Sequence, residues 1–270
     1  MRGLPVEFHK EKNFGVETDF NHLTVATAED EEGFTHLHTV GAIVIGDAFG
    51  GIATLTWTAA DNETLAIYTP NEIFEFVRAK PIRFVALGVL PIVLGDELNL
   101  YVGCMEDLID AVPSTAMQDA GAGPRADSDM FGFFTPEAGG AVFPLTEDYW
   151  HAVSSFGALQ TITPLIATDP NNLSGIDWKA WDGAAGVGHD LFAEWVPTNV
   201  VPGVAGAAPT LLDAEVRFWI DGHLVAKHEM RGALQITIAT TEEMNFGVMG
   251  NNITDIASAS VDYLKCEQVR

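Results

Sequence analysis

Basic residues are scarce in this chain. Its 270 residues contain 13 Lys and Arg, six of them Lys, against 38 Asp and Glu, for a formal net charge of −25. The basic residues are scattered and form no run that could follow a phosphate backbone. The composition therefore argues against nucleic acid and against an anionic membrane surface as partners.

Proteins that work in concentrated salt tolerate a large excess of acidic over basic residues. At about 1 M salt the screening length falls to roughly 3 Å, so repulsion between surface carboxylates largely disappears. An ordinary acidic, soluble surface explains the composition equally well. The sequence therefore leaves two explanations of its acidity open, adaptation to high salt and an ordinary acidic surface.

Long hydrophobic runs and cysteine clusters are also missing. The longest apolar stretch, residues 84–95, contains Pro91 and is shorter than the roughly 20 residues that a membrane helix needs. Residues 1–15 carry charges throughout, so we expect no secretory signal. Cys104 and Cys266 lack metal-binding spacing; one bridge between them is geometrically possible, but we expect buried free thiols.

Short alternating segments dominate what is present. In residues 52–58, threonines alternate with apolar residues. In residues 214–220, Val216, Phe218 and Ile220 fall on one face of a strand, and Glu215, Arg217 and Trp219 fall on the other. Asp221-Gly222 follows with the chemistry of a type I′ hairpin turn. More than a dozen such strands, with almost no helical period, predict an all-β fold of two antiparallel sheets packed as a sandwich. Apolar residues make up 47% of the chain, enough to fill its core.

The chain divides into two predicted regions. Residues 1–40 are polar and are expected to form an N-terminal arm or outer strands, whereas residues 41–270 are expected to form the sandwich. Within the sandwich, residues 113–129 are turn-rich and predict a loop. Residues 164–210 are rich in Pro, Gly and Asn and predict an irregular excursion with one short strand at 191–196.

The C-terminal third carries motifs of a known family. Residues 216–226 turn at Asp221-Gly222, residues 244–249 read Met-Asn-Phe-Gly-Val-Met, and residues 259–265 contain Val-Asp-Tyr. These segments resemble the end of concanavalin A-like (laminin G-like) jelly-roll sandwiches. The front half also resembles a related set of proteins encoded in tailed-virus genomes, on the landmarks Gly50-Gly51, Asp61-Asn62-Glu63, Phe74-Glu-Phe76, Lys80-Pro-Ile82 and Val102-Gly103.

This resemblance implies a jelly-roll body and a non-enzymatic structural protein of a virus particle. The expected role is a capsid decoration or turret subunit on the exterior of a tailed virus with a bacterial or salt-loving archaeal host. Its expected partners are the capsid protein lattice and its own copies, with a trimer as our guess for the homo-oligomer. The alternative is a lectin-like module that binds a host glycan.

The catalytic and metal motifs of related sandwiches are poorly matched. Glucanases of this type carry Glu-x-Asp-x-x-Glu, and the nearest fragment here, Glu17-Thr-Asp19, has His22 at the third acidic position. No Gly-x-Ser-x-Gly elbow or phosphate-binding glycine loop is present. We therefore expect no catalytic residue and no cofactor.

Clustered Asp and Asn oxygens are the remaining candidates for a calcium site. One cluster is Asp61, Asn62 and Glu63, and a second is Asp169, Asn171 and Asn172. Ordinary turn chemistry explains both clusters without an ion.

Tryptophans and histidines complete the candidates. Trp178, Trp181 and Trp195 fall in the loop-rich excursion and are candidate interface anchors, although they could equally close the bottom of the sandwich. His36 and His38 are two residues apart and would share one face of a strand, but a zinc site needs a third ligand. We expect exposed positions or no visible partner for the histidines: His36, His38, His151, His189, His223 and His228.

Overall fold

The structure is a computed structural model of the 270-residue chain. It describes residues 13–18, 20, 34–38, 41–46, 51–58, 63–69, 74–76, 79–93, 98–106, 117–118, 123–124, 128–136, 148–156, 159–182, 185–203, 209–231, 243–252 and 257–269. Among these residues, no helix is long and apolar enough to cross a bilayer.

The described residues are nearly all in β-strands and turns. In chain order the strands are β1 (Asn13–Thr18), β2 (Thr35–His38), β3 (Ala42–Gly46), β4 (Ile52–Thr56), β5 (Glu63–Tyr68), β6 (Phe74–Glu75), β7 (Ile82–Val93), β8 (Leu98–Met105), β9 (Met117–Gln118), β10 (Gly123–Pro124), β11 (Met130–Thr135), β12 (His151–Phe156), β13 (Leu159–Pro164), β14 (Trp181–Asp182), β15 (Ala185–Gly186), β16 (His189–Val201), β17 (Thr210–Ile220), β18 (His223–Arg231), β19 (Glu243–Asn252), β20 (Ala257–Val261) and β21 (Tyr263–Val269).

Two large antiparallel sheets contain most of these strands. Sheet one has the order β18-β17-β16-β7-β20-β4-β3, with β21 also paired to β7 and β1 paired to β21. Sheet two has the order β13-β12-β11-β8-β19-β5-β2, with β6 paired to β19. The all-β, two-sheet prediction is confirmed.

The hairpin of β17 and β18 shows how the sequence sets this fold. Val216, Phe218 and Ile220 are fully buried in the core, while the residues between them face the opposite side of sheet one. The turn residues Asp221 and Gly222 have φ values of 49° and 81°, as a type I′ turn requires.

Strand β7 organises sheet one because it pairs along both edges. One edge pairs with β16, and the other pairs first with β21 and then with β20. The change of partner occurs at Gly88, whose φ is 61° and whose added Cβ would lie 3.0 Å from the Cβ of Asp262. The Asp262 N–H donates to the Leu87 carbonyl at 3.0 Å, so the ladder continues across the break.

Aromatic side chains join the two sheets. Phe84 of β7 lies 5.3 Å from Phe246, 5.8 Å from Phe131 and 6.4 Å from Phe133 of sheet two, measured between ring centroids. Phe133 in turn packs edge-on against Phe218 at 5.5 Å. All five rings are fully buried, so they form the centre of the core.

The second half of the predicted excursion is regular structure. Residues 189–201 form β16, which pairs with both β7 and β17, whereas we expected only a short strand at 191–196. Pro197 and the polar residues after it concealed the strand's extent. The register with β17 shifts between Pro197 and Asn199 and again after Asn199, and such irregular positions tolerate proline within a sheet.

The N-terminal region contributes strands to both sheets. Residues 13–18 pair with β21, and residues 35–38 pair with β5. Most of the loop predicted at 113–129 lies outside the described residues.

The central strands β8, β11 and β12 of sheet two are buried on both of their faces. On the side away from the shared core, a second apolar cluster contains Ala66, Tyr101, Met105, Met130, Phe134, Val153 and Met249. Tyr101 lies along a row of glycines, where an added Cβ at Gly103 would be 2.7 Å from the Tyr101 hydroxyl oxygen, and one at Gly132 would be 3.0 Å from its Cζ. The Tyr101 hydroxyl donates to the Cys104 carbonyl at 2.7 Å. The glycines therefore make room for the ring.

We expect Gly103→Ala to lower the free energy of unfolding by about 1–3 kcal/mol, because overpacking of a dense site costs that much. The added Cβ would also lie 2.5 Å from the Phe131 carbonyl oxygen, which cannot move without separating two strands. Urea unfolding measures the change. The control is Gly188→Ala, whose Cβ would meet nothing nearer than 3.7 Å and should change stability by less than about 0.5 kcal/mol. Equal effects would contradict the close packing.

Candidate functional site

The outer face of sheet one carries an aromatic pair. Trp219 of β17 and Phe192 of β16 are opposite each other in the register, and their ring centroids lie 4.7 Å apart. Both alternate with core residues, so they point away from the other sheet. Phe192 is buried at 3% exposure while Trp219 is partly exposed. The indole is therefore the more exposed ring of the pair.

Ion pairs flank this aromatic pair. Glu194 of β16 lies opposite both Arg83 and Arg217; its Oε1 is 2.5 Å from Arg83 Nε, and its Oε2 is 3.7 Å from Arg217 Nη1. Arg217 also binds Glu215, whose other carboxylate oxygen is 2.5 Å from Lys227 Nζ. We call these residues, Arg83, Glu194, Glu215, Arg217 and Lys227, the charged row.

The charged row combines buried anions with partly exposed cations. The side chains of Glu194 and Glu215 are 6% and 8% exposed, whereas those of Arg217 and Lys227 are 40% and 39% exposed. The carboxylates thus hold the cations in place while part of the Arg217 and Lys227 side chains faces solvent. A ring face beside fixed hydrogen-bonding groups can bind a molecule with one apolar and several polar surfaces.

Glu215 is poorly suited to acid catalysis. Burial raises the pKa of Glu215, but hydrogen bonds from Lys227 and Arg217 outweigh burial and leave the pKa below its usual value. Glu215 is therefore ionised at neutral pH. A glycosidase needs one carboxyl group with a raised pKa as proton donor, and Glu215 is the opposite case.

Glu17, from the partial glucanase motif, also forms an ion pair. Its Oε2 lies 3.1 Å from Lys265 Nζ and accepts a hydrogen bond from the Tyr263 hydroxyl at 3.3 Å. Asp19 and His22 lie outside the described residues.

A buried histidine bridges the two sheets. The His228 ring of β18 has Nδ1 at 2.8 Å from Ser154 Oγ and Nε2 at 3.0 Å from Thr163 Oγ1. Burial lowers its pKa to about 3, so the ring is neutral at physiological pH. Our expectation that His228 is exposed was wrong: it occupies the same alternation phase as Ala226 and Met230, which are buried. This alternation is the sequence feature from which the burial of His228 could have been predicted.

The bridge is a structural contact and lacks the features of a catalytic serine. Both ring nitrogens of His228 are bound to hydroxyls, so no carboxylate orients the ring as a triad requires. Ser154, Thr163 and His228 are also buried, which keeps a substrate away from the hydroxyl.

A second histidine is fixed at the end of sheet one. His189 Nδ1 is 2.9 Å from Asp221 Oδ2, and its Nε2 is 2.9 Å from the Lys179 carbonyl oxygen. Asp221 Oδ1 also accepts the Asp190 N–H at 2.9 Å. Sequence spacing could not reveal this partner, because the strand pairing brings Asp221 next to His189. The carboxylate of the hairpin turn thus joins the turn to the start of β16.

The three candidate interface tryptophans are packed within the chain. Trp195 is in the core, 4.6 Å from Phe76 between ring centroids. The indole N–H of Trp181 donates to Asp148 at 2.6 Å, and that of Trp178 donates to Ser174 Oγ at 2.8 Å. Their burial fits the alternative that tryptophans close one end of the sandwich; contact with another chain stays a prediction.

Turn contacts use the oxygens of the second calcium candidate. Asp169 Oδ1 accepts the Asn171 N–H at 2.8 Å. Asn172 donates to the Ile166 and Ile176 carbonyls and accepts from Ser174. These bonds shape the loop between β13 and β14.

The first calcium candidate is largely outside the described residues. Asp61 and Asn62 lie outside them, and Glu63 begins β5, with its side chain not described. His36 and His38 lie in β2, again without described side chains. Within the described part of the chain, no group of three or more His, Cys, Asp or Glu could hold a metal ion.

Comparison with known proteins places the fold among lectins and glucanases. Neither a family model nor a curated protein matches the sequence. Among solved structures, an endo-1,3-β-glucanase from Streptomyces sioyaensis matches with a TM-score of 0.51 and 12% identity, over 98% of this chain and 99% of the enzyme. Lectin II from Ulex europaeus matches with a TM-score of 0.51 and 9% identity, over 96% of this chain and 100% of the lectin. Lectin UEA-II complexed with galactose matches with a TM-score of 0.51 and 10% identity, over 96% and 100%.

The fold is therefore the concanavalin A-like jelly-roll sandwich, as the resemblance implied. These neighbours include both binding proteins and an enzyme.

We expect the protein to lose stability as the pH falls below about 6.5, where an unfolded histidine gains a proton. His228 stays neutral in the fold down to about pH 3, and burial likewise lowers the pKa of His151 to about 4. Protonation then favours the unfolded chain, so between pH 7 and 5 each residue should cost about 2 kcal/mol. Urea unfolding at several pH values measures this slope. His228→Asn removes one titrating group and should flatten the slope; an unchanged slope would contradict the buried neutral ring.

Proposed function

We propose that the protein is a carbohydrate-binding module and that it binds sugar on the outer face of sheet one. The observation that carries this proposal is the partly exposed Trp219, in contact with Phe192 of the neighbouring strand and bordered by the charged row. The jelly-roll fold shared with lectins supports it at the level of architecture.

Sugar chemistry matches the two halves of this surface. The C–H face of a pyranose ring packs against an indole, and its hydroxyls form hydrogen bonds with charged groups. The side chains of Arg217 and Lys227 are partly exposed, while their carboxylate partners fix their positions. Because the site needs little ordering on binding, less of the interaction energy is lost.

Binding without hydrolysis accounts best for the two carboxylates beside Trp219. Glu194 and Glu215 are ion-paired to Arg217, and the lowered pKa of Glu215 removes it as a proton donor. Breaking such buried pairs during a reaction would leave charges unpaired, at high cost.

A glycan array followed by calorimetry tests the proposal. We expect binding to at least one glycan class, with galactose as the first single-sugar probe because a fold neighbour binds it. Trp219→Ala should weaken binding about tenfold or more, since it removes the stacking surface. EDTA should leave this binding unchanged, because the proposed face uses no metal.

The matched control is Tyr263→Ala, which removes a partly exposed aromatic residue from β21 of the same sheet. It should leave binding unchanged. Equal losses in the two variants would contradict the assignment to Trp219. Binding that EDTA abolishes and Trp219→Ala leaves intact would place the sugar site elsewhere.

The capsid decoration role is the second proposal, and the resemblance of residues 50–107 to tailed-virus proteins favours it. In that role the chain would bind the capsid lattice and its own copies on the virion exterior. The strongly negative charge fits a position away from packaged DNA. A glycan array without detectable binding, together with detection of the chain in purified virus particles, would favour this role.

A further inference from the structure

The two cysteines face each other across the core. Cys104 lies on β8 of sheet two and Cys266 on β21 of sheet one. Their Sγ atoms are 3.7 Å apart, with 162 residues of sequence separation. Both are free thiols and fully buried. The only two cysteines of the chain therefore meet at the contact between the sheets.

The surroundings hold the thiols together and keep solvent away. Cys104 is opposite Phe131 and Phe246 in the register of sheet two, and Cys266 is opposite Phe84 in sheet one. The Phe84 ring packs against Phe246 at 5.3 Å and against Phe131 at 5.8 Å, measured between ring centroids. The pair thus lies in the same aromatic centre that joins the sheets.

A disulfide bond requires a shorter contact than the present one. Its S–S length is about 2.05 Å, so the two sulfur atoms must approach by about 1.7 Å from their present 3.7 Å. Side-chain rotation and a small adjustment between sheets can supply such a movement. Disulfides that cross a sandwich core between facing sheets are known from immunoglobulin domains.

We propose that Cys104 and Cys266 are a modification site, and that they form an intersheet disulfide when the protein folds in the presence of a low-molecular-weight disulfide oxidant such as glutathione disulfide. The thiolate of one cysteine attacks the oxidant, forming a mixed disulfide and releasing one glutathione thiolate. The second cysteine thiolate displaces the other glutathione. Two protein thiols are oxidised, one glutathione disulfide is reduced, and the two cysteine protons pass to the released thiolates.

Folding conditions then determine the redox state. Burial raises the pKa of the Cys266 thiol well above its ordinary value, and the neighbouring Cys104 raises it further. Since the thiolate is the reactive form, the folded reduced protein reacts slowly. The same burial protects a disulfide formed during folding from reductant.

The full chain is unfolded and refolded in two ways, with glutathione disulfide and with a reductant. We expect the oxidised product to be about 2 Da lighter and to have no alkylatable thiol after denaturation. Its melting temperature should exceed that of the reduced product by about 10 °C, because the bond closes a very long loop in the unfolded chain. Both products should give the same circular dichroism spectrum.

Cys104→Ser is the control and should melt at the same temperature after either treatment; Cys266→Ala serves if that variant does not fold. The comparison of oxidised with reduced wild type needs neither variant. Two alkylatable thiols after oxidative refolding, disulfide-linked dimers, or a lower melting temperature of the oxidised chain would each overturn the proposal. Rapid alkylation of the folded, reduced protein would contradict the burial on which it rests.

Discussion

Contact between aromatic side chains of the two sheets is the interaction on which the rest of this structure depends. Phe84 projects from the doubly paired strand β7 and reaches three phenylalanines of sheet two. Burying one such side chain contributes roughly 1.5–3 kcal/mol, and the cluster fixes how the sheets face each other. The cysteine pair and the His228 bridge both connect opposite sheets, so their geometry follows from this packing.

The outer face of sheet one shows how an acidic chain places its few cations. Five basic residues, Arg83, Arg217, Lys227, Arg231 and Lys265, are paired with five glutamates, Glu17, Glu194, Glu215, Glu229 and Glu267. A partly exposed indole lies beside these ion pairs, which is why we place the proposed sugar site there.

The sequence predicted those features that depend on neighbouring residues. Alternation identified β17, and Asp221-Gly222 identified its turn with the backbone angles that the structure has. It did not predict features that depend on strand order. Arg83, Glu194 and Arg217 are brought together by three strands that are distant in sequence, and no local pattern reports such pairing. The buried position of His228 was readable from its alternation phase, whereas Pro197 and its register shift hid the length of β16.

Hydrogen exchange of the native protein, read by mass spectrometry, tests this arrangement most directly. Amides of strands paired on both edges open only with the sheet and exchange slowly. We expect slow exchange in β7, β8 and residues 191–195 of β16, and faster exchange in β13, which lies at the edge of sheet two and is largely exposed. If residues 191–195 exchanged as fast as β13, β16 would not be an inner strand, and the two-sheet packing described here would be contradicted.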